Sequence, residues 1–366
     1  MRCIKMRKIL VLNLGGTSTK VAAYEEEKLL AEKTLRHSAE EMAKYNTSAL
    51  QVEYRAGMIR EWLSENALSS DDFDAFAVRG AYIKEAKQSG TYLVNDVLRD
   101  KMLALYHPEK PMVHGIPLIL PVAYNLLNGK DVPIYVTDPT SVDEKLPEAC
   151  LSGSPYFERL GRFHPLNQKA AARFAAKELG KKYEDCNFVV AHLGAGISVG
   201  AHRNGRVIDV NDVGLGDGPF TPERAGGVPV GQLIDLCFSG EYTYEQVFKI
   251  LRGKGGVMGY LGTSDMREVE KMIDEGDEKA ALVFRAMALQ ISKEIGACCA
   301  SLCGKVDQII ITGGIAYSKR MTAMISEYVG SFAEIKIIPG EFECEALAMG
   351  ALRVLKGEIE PIIFER

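Results

Sequence analysis

Two glycine-rich turns contain the residues of this chain that are best suited to bind phosphate. In the first, residues 9–14 are apolar and β-prone, and they lead into Gly15-Gly16-Thr17-Ser18 before a second apolar run at 21–24. Two glycines let the backbone approach an anion closely, and the neighbouring amides and hydroxyls can donate hydrogen bonds to it. A plain β-hairpin with a glycine-rich turn has the same pattern, so this stretch alone leaves both interpretations open.

A second copy of the pattern strengthens the phosphate interpretation. Residues 187–202 again run from an apolar strand into a small-residue turn, Gly194-Ala195-Gly196, and on into a second strand. Asn204-Gly205, a strong hairpin signal, then leads into a third strand. Because each copy begins about half of the chain, we expect two related lobes that each present one turn to a polyphosphate ligand.

The elements that position these turns predict an α/β protein. Strands alternate with helices after each hairpin, which is typical of mixed sheets flanked by helices. One long helix is expected over residues 38–68, starting with a capping box at Ser38. One strand should end at Arg79 and another at Asp138, and the last helix should begin at Glu343. No Walker P-loop and no dinucleotide-binding GxGxxG motif is present, which excludes the two commonest nucleotide folds.

Length and composition favour a two-domain protein of ordinary globular type. The chain has 366 residues and a net charge of -5, and a chain of this length usually forms more than one core. It has a single Trp and no basic patch with interleaved aromatic residues, which argues against nucleic acid binding. No apolar run has membrane-spanning length and no signal peptide is recognisable, so we expect a cytoplasmic protein that starts at Met1 or Met6.

A long irregular segment at residues 212–229 has Gly or Pro at nearly every other position. Segments of this kind inside a compact domain are usually either functional or disordered. The sequence predicts regular structure on both sides, so we interpret the segment as functional. It contains Arg224, whose planar guanidinium is well suited to an anion.

Taken together and in chain order, five motifs resemble those of the acetokinase family, and the closest resemblance is to its butyrate kinase and branched-chain fatty acid kinase branch. The motifs are the turn after Asn13, His192-Leu-Gly-Ala-Gly196, Pro219-Phe-Thr-Pro-Glu-Arg224, Leu261-Gly-Thr-Ser-Asp265 and Thr312-Gly-Gly-Ile-Ala316. The resemblance covers nearly the whole chain. Two departures, Leu14-Gly-Gly-Thr-Ser-Thr for the usual Pro-Gly-Ser-Thr-Ser-Thr and Ala195 for a common Gly, preserve small-residue turns.

The resemblance implies the two-lobed, actin-like ATPase fold of acetate and sugar kinases, heat-shock chaperones and actin. Such a fold has duplicated mixed sheets flanked by helices and a central cleft. The N-terminal lobe would comprise residues 1–139 and 341–366, with the carboxylate site and the first phosphate turn. Residues 140–340 would form the nucleotide-binding lobe. A homodimer or a higher homo-oligomer is also implied.

The implied reaction is a reversible, direct in-line transfer of the γ-phosphoryl group of ATP to a short-chain fatty acid, butyrate or a branched-chain analogue. The product is an acyl phosphate. A carboxylic acid with a pKa of about 4 to 5 is already ionised at neutral pH, so no general base is needed. Two anions must instead be brought together, which calls for arginines, amide donors and Mg²⁺. Apolar residues near Arg79, Tyr82 and Pro121 would set the acyl-chain preference.

By the same resemblance, five residues would act at the reacting groups. Arg79 would contact the substrate carboxylate, and Arg224 would contact the phosphoryl group in transfer. Asp138 would orient an arginine or a metal-bound water. His164 and His192 would donate hydrogen bonds to the phosphoryl oxygens.

The resemblance also implies residues for Mg²⁺ and ATP. Glu345 or Glu343, at the start of the last helix, would position Mg²⁺ through water, with Glu345 preferred. The residues expected to bind the nucleotide are Asn13, Gly15, Gly16, Thr17, Ser18, Thr19, Gly194, Ala195, Gly196, Asp265, Met266, Arg267, Gly313, Gly314, Ile315 and Ala316.

Two other functions remain open at this point. A sugar kinase of the same superfamily would require an Asp acting as base on a hydroxyl group, whereas the candidates here form an arginine-based anion site. An actin-like or chaperone-like ATPase would carry Asp in place of Asn13 and additional partner-binding segments. Dependence of ATP turnover on an added carboxylate separates a kinase from such an ATPase.

Overall fold

The computed structural model describes residues 6–80, 83–110 and 114–365. The expectation for Tyr82 and the alternative start at Met1 therefore lie outside the described residues. The chain divides into two compact units, the first formed by Met1–Val142 with Phe342–Arg366 and the second by Asp143–Glu341. In the described part of the chain, no helix has the length and apolar character needed to cross a membrane.

The strands are numbered in chain order. They are β1 (Lys8–Leu14), β2 (Ser18–Glu25), β3 (Lys28–Arg36), β4 (Ala75–Val78), β5 (Thr91–Leu93), β6 (Ile134–Thr137), β7 (Asn187–Leu193), β8 (Ile197–Arg203), β9 (Arg206–Val210), β10 (Gln308–Gly313), β11 (Ile335–Pro339) and β12 (Ile362–Ile363).

The α-helices are numbered in the same way. They are α1 (Ala39–Lys44), α2 (Ser48–Glu65), α3 (Asp96–Leu103), α4 (Ile119–Leu127), α5 (Pro147–Cys150), α6 (Pro165–Glu178), α7 (Val230–Phe238), α8 (Tyr244–Leu251), α9 (Gly256–Leu261), α10 (Met266–Asp274), α11 (Glu278–Ser301), α12 (Lys319–Val329) and α13 (Glu343–Leu355). Short 3₁₀ turns occur at Ser70–Asp72, Ile116–Leu118, Tyr183–Asp185 and Gly314–Tyr317.

The first unit is built on a seven-stranded mixed sheet with the order β12-β5-β6-β4-β1-β2-β3. The strands β1, β2 and β3 form an antiparallel meander, while β1 pairs in parallel with β4, and β4 with β6. From Ile9 onward every residue of β1 is buried, as expected for a central strand covered on both faces. Helix α13 packs against β1, β4 and β6, so the C-terminal segment of the chain completes this unit.

The second unit is built on a five-stranded sheet with the order β11-β10-β7-β8-β9. Here β7, β8 and β9 form the antiparallel meander, and β7, β10 and β11 are parallel. This order repeats β6-β4-β1-β2-β3 of the first unit. The turn between β1 and β2 therefore has the same place in its sheet as the turn between β7 and β8, and the predicted duplication of mixed sheets is confirmed.

The prediction of one helix over residues 38–68 is wrong, because α1 and α2 are separate helices. The capping box at Ser38 is present, with the Glu41 N–H donating to Ser38 Oγ over 3.1 Å. Thr47 then starts α2 as a second N-cap, accepting from the Leu50 N–H at 3.3 Å. An N-cap requires extended backbone, so a helix cannot continue through it. The sequence pattern also does not predict β5 or β12, since two or three residues show no periodicity.

Candidate active site

Three of the predicted residues meet in the first unit, where β1, β4 and α13 come together. Asn13 lies near the end of β1, Arg79 follows β4, and Glu343 begins α13. Asn13 Nδ2 donates to Glu343 Oε2 over 2.6 Å, and Arg79 Nη1 lies 3.3 Å from the same oxygen and 3.4 Å from Asn13 Oδ1. The Arg79 side chain keeps 32% of its surface exposed, so its other donors can reach an anion.

The two candidate metal residues differ in their surroundings. Glu343 is half-buried and joins Asn13 and Arg79. Glu345 is exposed. The pKa of Tyr24 is raised mainly by burial, then by the charges of Cys344 and Glu32, and least by the charge of Glu345, which places Glu345 near Tyr24. Residues two positions apart in a helix do not share a face, so the two carboxylates point in different directions. The geometry thus favours Glu343 over the preferred Glu345.

No group of three or more His, Cys, Asp or Glu side chains within residues 6–80, 83–110 and 114–365 could hold a metal ion by itself. Mg²⁺ seldom requires such a cage, because it keeps several waters and binds through one or two carboxylates together with substrate phosphates. One carboxylate, Glu343, beside the amide of Asn13 fits a Mg²⁺ ion that is held mainly by a nucleotide.

The first glycine-rich turn is supported by Arg55, a residue that the sequence analysis does not single out. Arg55 lies in α2 and is only 1% exposed, and its guanidinium donates to the backbone carbonyls of Gly15, Gly16 and Ser18. A signal for it exists in the sequence. Arg55 falls at helical spacing among Val52, Ile59 and Trp62, the buried face of α2, where a charge needs polar partners.

Asp138 follows β6 in a left-handed conformation with φ of 42° and is almost completely buried. Its Oδ1 accepts from the Gly90 N–H at 2.8 Å, and its own N–H donates to the Gly90 carbonyl at 2.9 Å. Non-glycine residues rarely adopt this conformation, and they do so often at functional sites. The contacts join Asp138 to the backbone before β5, and its role toward an arginine or a metal water stays a prediction.

The two predicted histidines are brought together in the second unit. The rings of His164 and His192 stack with centroids 3.9 Å apart and planes 18° from parallel. Asn167 Nδ2 donates to His192 Nδ1 over 2.8 Å, so the neutral ring carries its proton on Nε2. Burial lowers the pKa of His192 to about 4, which keeps the ring neutral at physiological pH. A Cβ added to Gly194 would lie 3.2 Å from Nε2, so this N–H lies at the second glycine-rich turn.

Arg224 lies against the same turn. Its Nη1 donates to the Val213 carbonyl over 2.6 Å, and a Cβ added at Gly196 would come within 2.4 Å of that nitrogen. Only glycine therefore permits this approach. Thr221 Oγ1 accepts from the Arg224 N–H and donates to the Ala195 carbonyl, at 3.1 and 2.8 Å. Burial, followed by the charge of Arg252, lowers the pKa of Arg224.

Seven predicted nucleotide-binding residues line one cavity of about 710 Å³ in the second unit: Gly194, Ala195, Asp265, Met266, Arg267, Gly314 and Ile315. Gly196, Gly313 and Ala316 are not among the lining residues. The cavity volume lies within the usual range for small-molecule sites. Gly313, at the end of β10, has φ of 91°, and a Cβ there would meet the Leu193 carbonyl oxygen at 2.4 Å, so this turn requires glycine. The lining residues are Gly194, Ala195, Pro222, Glu223, Ser264, Asp265, Met266, Arg267, Glu270, Gly314, Ile315, Tyr317, Ser318 and Glu341.

On one side of this cavity, Asp265 caps α10 and accepts three hydrogen bonds from Arg267, one from its backbone and two from its side chain. Asp265 Oδ1 accepts from the Arg267 N–H and from Arg267 Nε, both at 2.9 Å, while Oδ2 accepts from Nη2 at 2.6 Å. These bonds to Arg267 lower the pKa of Asp265 to about 2. The pair is solvent-exposed, so it can shape the rim of the cavity without reorganising the core.

Comparison with known proteins gives a match to one family over part of the chain, and a fold. Residues 156–332 match the sequence model of the acetokinase family, which confirms the resemblance to that family. The structure of Porphyromonas gingivalis acetate kinase is 21% identical and superposes with a TM-score of 0.76, covering 95% of this chain and 100% of that chain.

Two further solved structures extend the comparison. A propionate kinase from Francisella tularensis subsp. tularensis SCHU S4 is 19% identical with a TM-score of 0.73, covering 94% of this chain and 99% of that chain. A ROK family protein from Streptococcus pneumoniae TIGR4 is 13% identical with a TM-score of 0.52, covering 96% and 100% respectively. These likenesses, with the duplicated sheets, confirm the predicted actin-like fold class.

Proposed function

We propose that this chain, a relative of the acetokinases, transfers the γ-phosphoryl group of ATP reversibly to a short-chain fatty acid and forms an acyl phosphate. The family match over residues 156–332 supports ATP-dependent phosphorylation of a carboxylate. The proposed preference for butyrate or a branched-chain acid rests on the amino-acid sequences of the motifs alone. Two of the solved structures named above are an acetate kinase and a propionate kinase, and the assay described below tests the preferred chain length.

The single observation that carries the proposal is the Asn13–Arg79–Glu343 cluster. A carboxylate substrate needs a cation to hold it and no base to deprotonate it. Arg79 offers a half-exposed guanidinium oriented by Glu343, which suits an incoming carboxylate. A sugar kinase would instead place an acid as base on a hydroxyl group, and an actin-like or chaperone-like ATPase would carry Asp where β1 has Asn13.

The residues of the second unit supply the other half of the proposed chemistry. Arg224 would neutralise charge on the phosphoryl group in transfer. The neutral His192 would donate from Nε2 to a phosphoryl oxygen, and His164, stacked on it, would maintain its orientation. Asp138 would orient a cation near the reacting groups. None of these roles requires a covalent enzyme intermediate, in agreement with direct in-line transfer.

The proposed adenosine site is the 710 Å³ cavity, and each glycine-rich turn is proposed as a phosphate-binding element of its own unit. The turns offer backbone amides and hydroxyls, from residues 15–19 and 194–196. Glu343, through water, would hold Mg²⁺, which supplies charge neutralisation on the phosphates when bound. The carboxylate and the amide at this position fit that ion.

A homo-oligomer in the cytoplasm is part of the proposal. Helix α7 has no buried residue although most of its side chains are apolar, and Phe238 at its end is 86% exposed. Exposed apolar faces of this kind often mark subunit contacts. Light scattering on the purified protein tests this point, and a monomeric mass at micromolar concentration contradicts it.

The experiment that tests the function is acyl phosphate formation from Mg-ATP, trapped with hydroxylamine, with acids from acetate to isovalerate. Arg79→Ala and Arg224→Ala are measured beside the wild type, with Arg99→Ala as a control, because Arg99 forms only surface ion pairs on α3. We expect a wild-type maximum at four or five carbons, activity lost in both site variants and kept in the control. No hydroxamate with any acid, together with carboxylate-independent ATP hydrolysis, contradicts the proposal.

A further inference from the structure

We propose that Arg55 is a positioning residue that orients the amides of the Gly15–Thr19 turn toward a phosphate group. The inference rests on the proposed function, because it takes this turn to be a phosphate site. It goes further by assigning a role to a buried cation that none of the sequence motifs includes. Arg55 would act through the turn and not on the substrate.

The contacts of Arg55 all converge on the turn. Its Nη1 donates to the carbonyls of Gly15 and Ser18 at 3.0 and 3.2 Å and to Thr19 Oγ1 at 2.8 Å. Its Nη2 donates to the Gly16 carbonyl at 2.8 Å. One side chain thus binds four acceptors within five consecutive residues.

The remaining carbonyl of the turn is held as well. The His37 N–H donates to the Thr17 carbonyl over 2.9 Å. Thr19 Oγ1 lies 2.9 Å from His37 Nε2, and since it already accepts from Arg55, its own hydrogen is available to that nitrogen. Every carbonyl from Gly15 to Ser18 therefore accepts a hydrogen bond from within the unit.

This arrangement determines where the amides point. In a trans peptide the carbonyl of one residue and the N–H of the next point in opposite directions. Because Arg55 binds the Gly15 and Gly16 carbonyls, the N–H groups of Gly16 and Thr17 face away from it. These two N–H groups have no hydrogen-bond partner within the described ranges, so they form a pair of donors of the kind that binds anions.

The charge of Arg55 adds to this effect. Burial lowers its pKa to about 10, which leaves it protonated at neutral pH. No carboxylate of the described residues forms an ion pair with it within 4 Å, so its positive charge is not cancelled locally. A buried charge of this kind is unfavourable for folding by itself. An anion bound on the outer side of the turn would compensate it.

The test compares Arg55→Met and Arg55→Lys with the wild type in calorimetric binding of ATP and of adenosine, and in the hydroxamate assay. Ile59→Ala is the matched control, because Ile59 lies one turn further along α2 and is fully buried. We expect Arg55→Met to weaken ATP binding about tenfold or more while adenosine binding is unchanged. Its kcat should fall about 100-fold through misplacement of the phosphates.

The variants separate positioning from general destabilisation. Arg55→Lys keeps the charge and loses the fork of donors, so we expect an intermediate loss. Ile59→Ala should lower the Tm and leave the ratio of ATP to adenosine affinity at the wild-type value. If Arg55→Met does not fold, as judged by circular dichroism and the loss of a cooperative thermal transition, the ratio in Arg55→Lys decides.

If the Arg55 variants keep the wild-type ratio of ATP affinity to adenosine affinity, the inference is overturned. A wild-type protein that binds ATP no more tightly than adenosine overturns it too. Failure of the proposed function has a different signature. In that case the wild type forms no hydroxamate, although it still prefers ATP to adenosine, and the Arg55 comparison remains decisive through binding.

Discussion

The sharpest test of the candidate site is Glu343→Gln compared with Glu345→Gln. The substitution keeps the size of the side chain and removes its charge. In the structure Glu343 Oε2 is 2.6 Å from Asn13 Nδ2 and 3.3 Å from Arg79 Nη1. Glu345, two positions along the same helix, is exposed. The two variants therefore carry the same chemical change in two different environments.

The magnitude follows from these contacts. A hydrogen bond to a charged group contributes about 1.5–3 kcal/mol and a neutral one about 1 kcal/mol. Solvent screens the pair with Arg79, whose side chain is 32% exposed, so the lower end of the range applies. We expect Glu343→Gln to lose about 1–2 kcal/mol of transition-state stabilisation, or about 5- to 30-fold in kcat/KM. Loss of the carboxylate should also raise the Mg²⁺ concentration needed for half-maximal rate.

The assay measures kcat/KM for the carboxylate across a Mg²⁺ titration, with saturating ATP, for both variants and the wild type. Glu345→Gln should stay within about twofold of the wild type, the range of ordinary surface substitutions. The opposite pattern, with Glu345→Gln impaired and Glu343→Gln unaffected, refutes the reasoning and restores the original preference for Glu345 as the metal residue.

Three further predictions follow from single observations. Burial lowers the pKa of His192 to about 4, so the unfolded chain binds an extra proton between about pH 6.5 and 4 and the free energy of unfolding falls as pH drops through that window. Urea unfolding at several pH values should show this loss. His192→Asn should reduce the slope of the free energy of unfolding against pH by about 1.4 kcal/mol per pH unit in that window, and an unchanged slope contradicts the assignment. Gly196→Ala should displace the Arg224 guanidinium, which an added Cβ would approach to 2.4 Å, and reduce kcat about 100-fold. Gly57→Ala, where a Cβ meets nothing within 4 Å, is the control, and equal kcat in the two variants argues against a role for Arg224. Asp265→Ala should lower the midpoint of chemical unfolding through loss of the α10 cap, whereas Asp265→Asn keeps a capping oxygen and should lower it less. Equal midpoints for the two variants contradict this.

Much of the fold is encoded in local patterns that a reader of the sequence can recognise. The β1–β2 and β7–β8 hairpins and the start of α13 at Glu343 all agree with the expectation. Each of these depends on side-chain alternation, turn residues or caps within a few positions. The break between α1 and α2 was harder to place, because Ser38 and Thr47 are both good N-caps and the apolar pattern does not show that both are used.

The candidate site is only partly visible in the sequence. The sequence resemblance identifies Asn13, Arg79 and Glu343 as separate candidate site residues. Only the parallel pairing of β1 with β4 brings Asn13 and Arg79 together. The packing of α13 on those strands then adds Glu343, which is 330 positions from Asn13. The sequence alone does not reveal the role of Arg55, because a charge on an apolar helix face can be interpreted only when the turn that packs against it is known.

By itself, the sequence determined the two glycine-rich turns, the alternation of strands and helices and the resemblance to the acetokinases, because each depends on neighbouring residues. The tertiary structure decided which carboxylate of Glu343 and Glu345 meets Arg79, which histidine nitrogen carries the proton, and which buried cation supports the first turn. Those outcomes depend on sheet order and on the helix face that packs inward, and both are set by contacts between residues far apart in the chain.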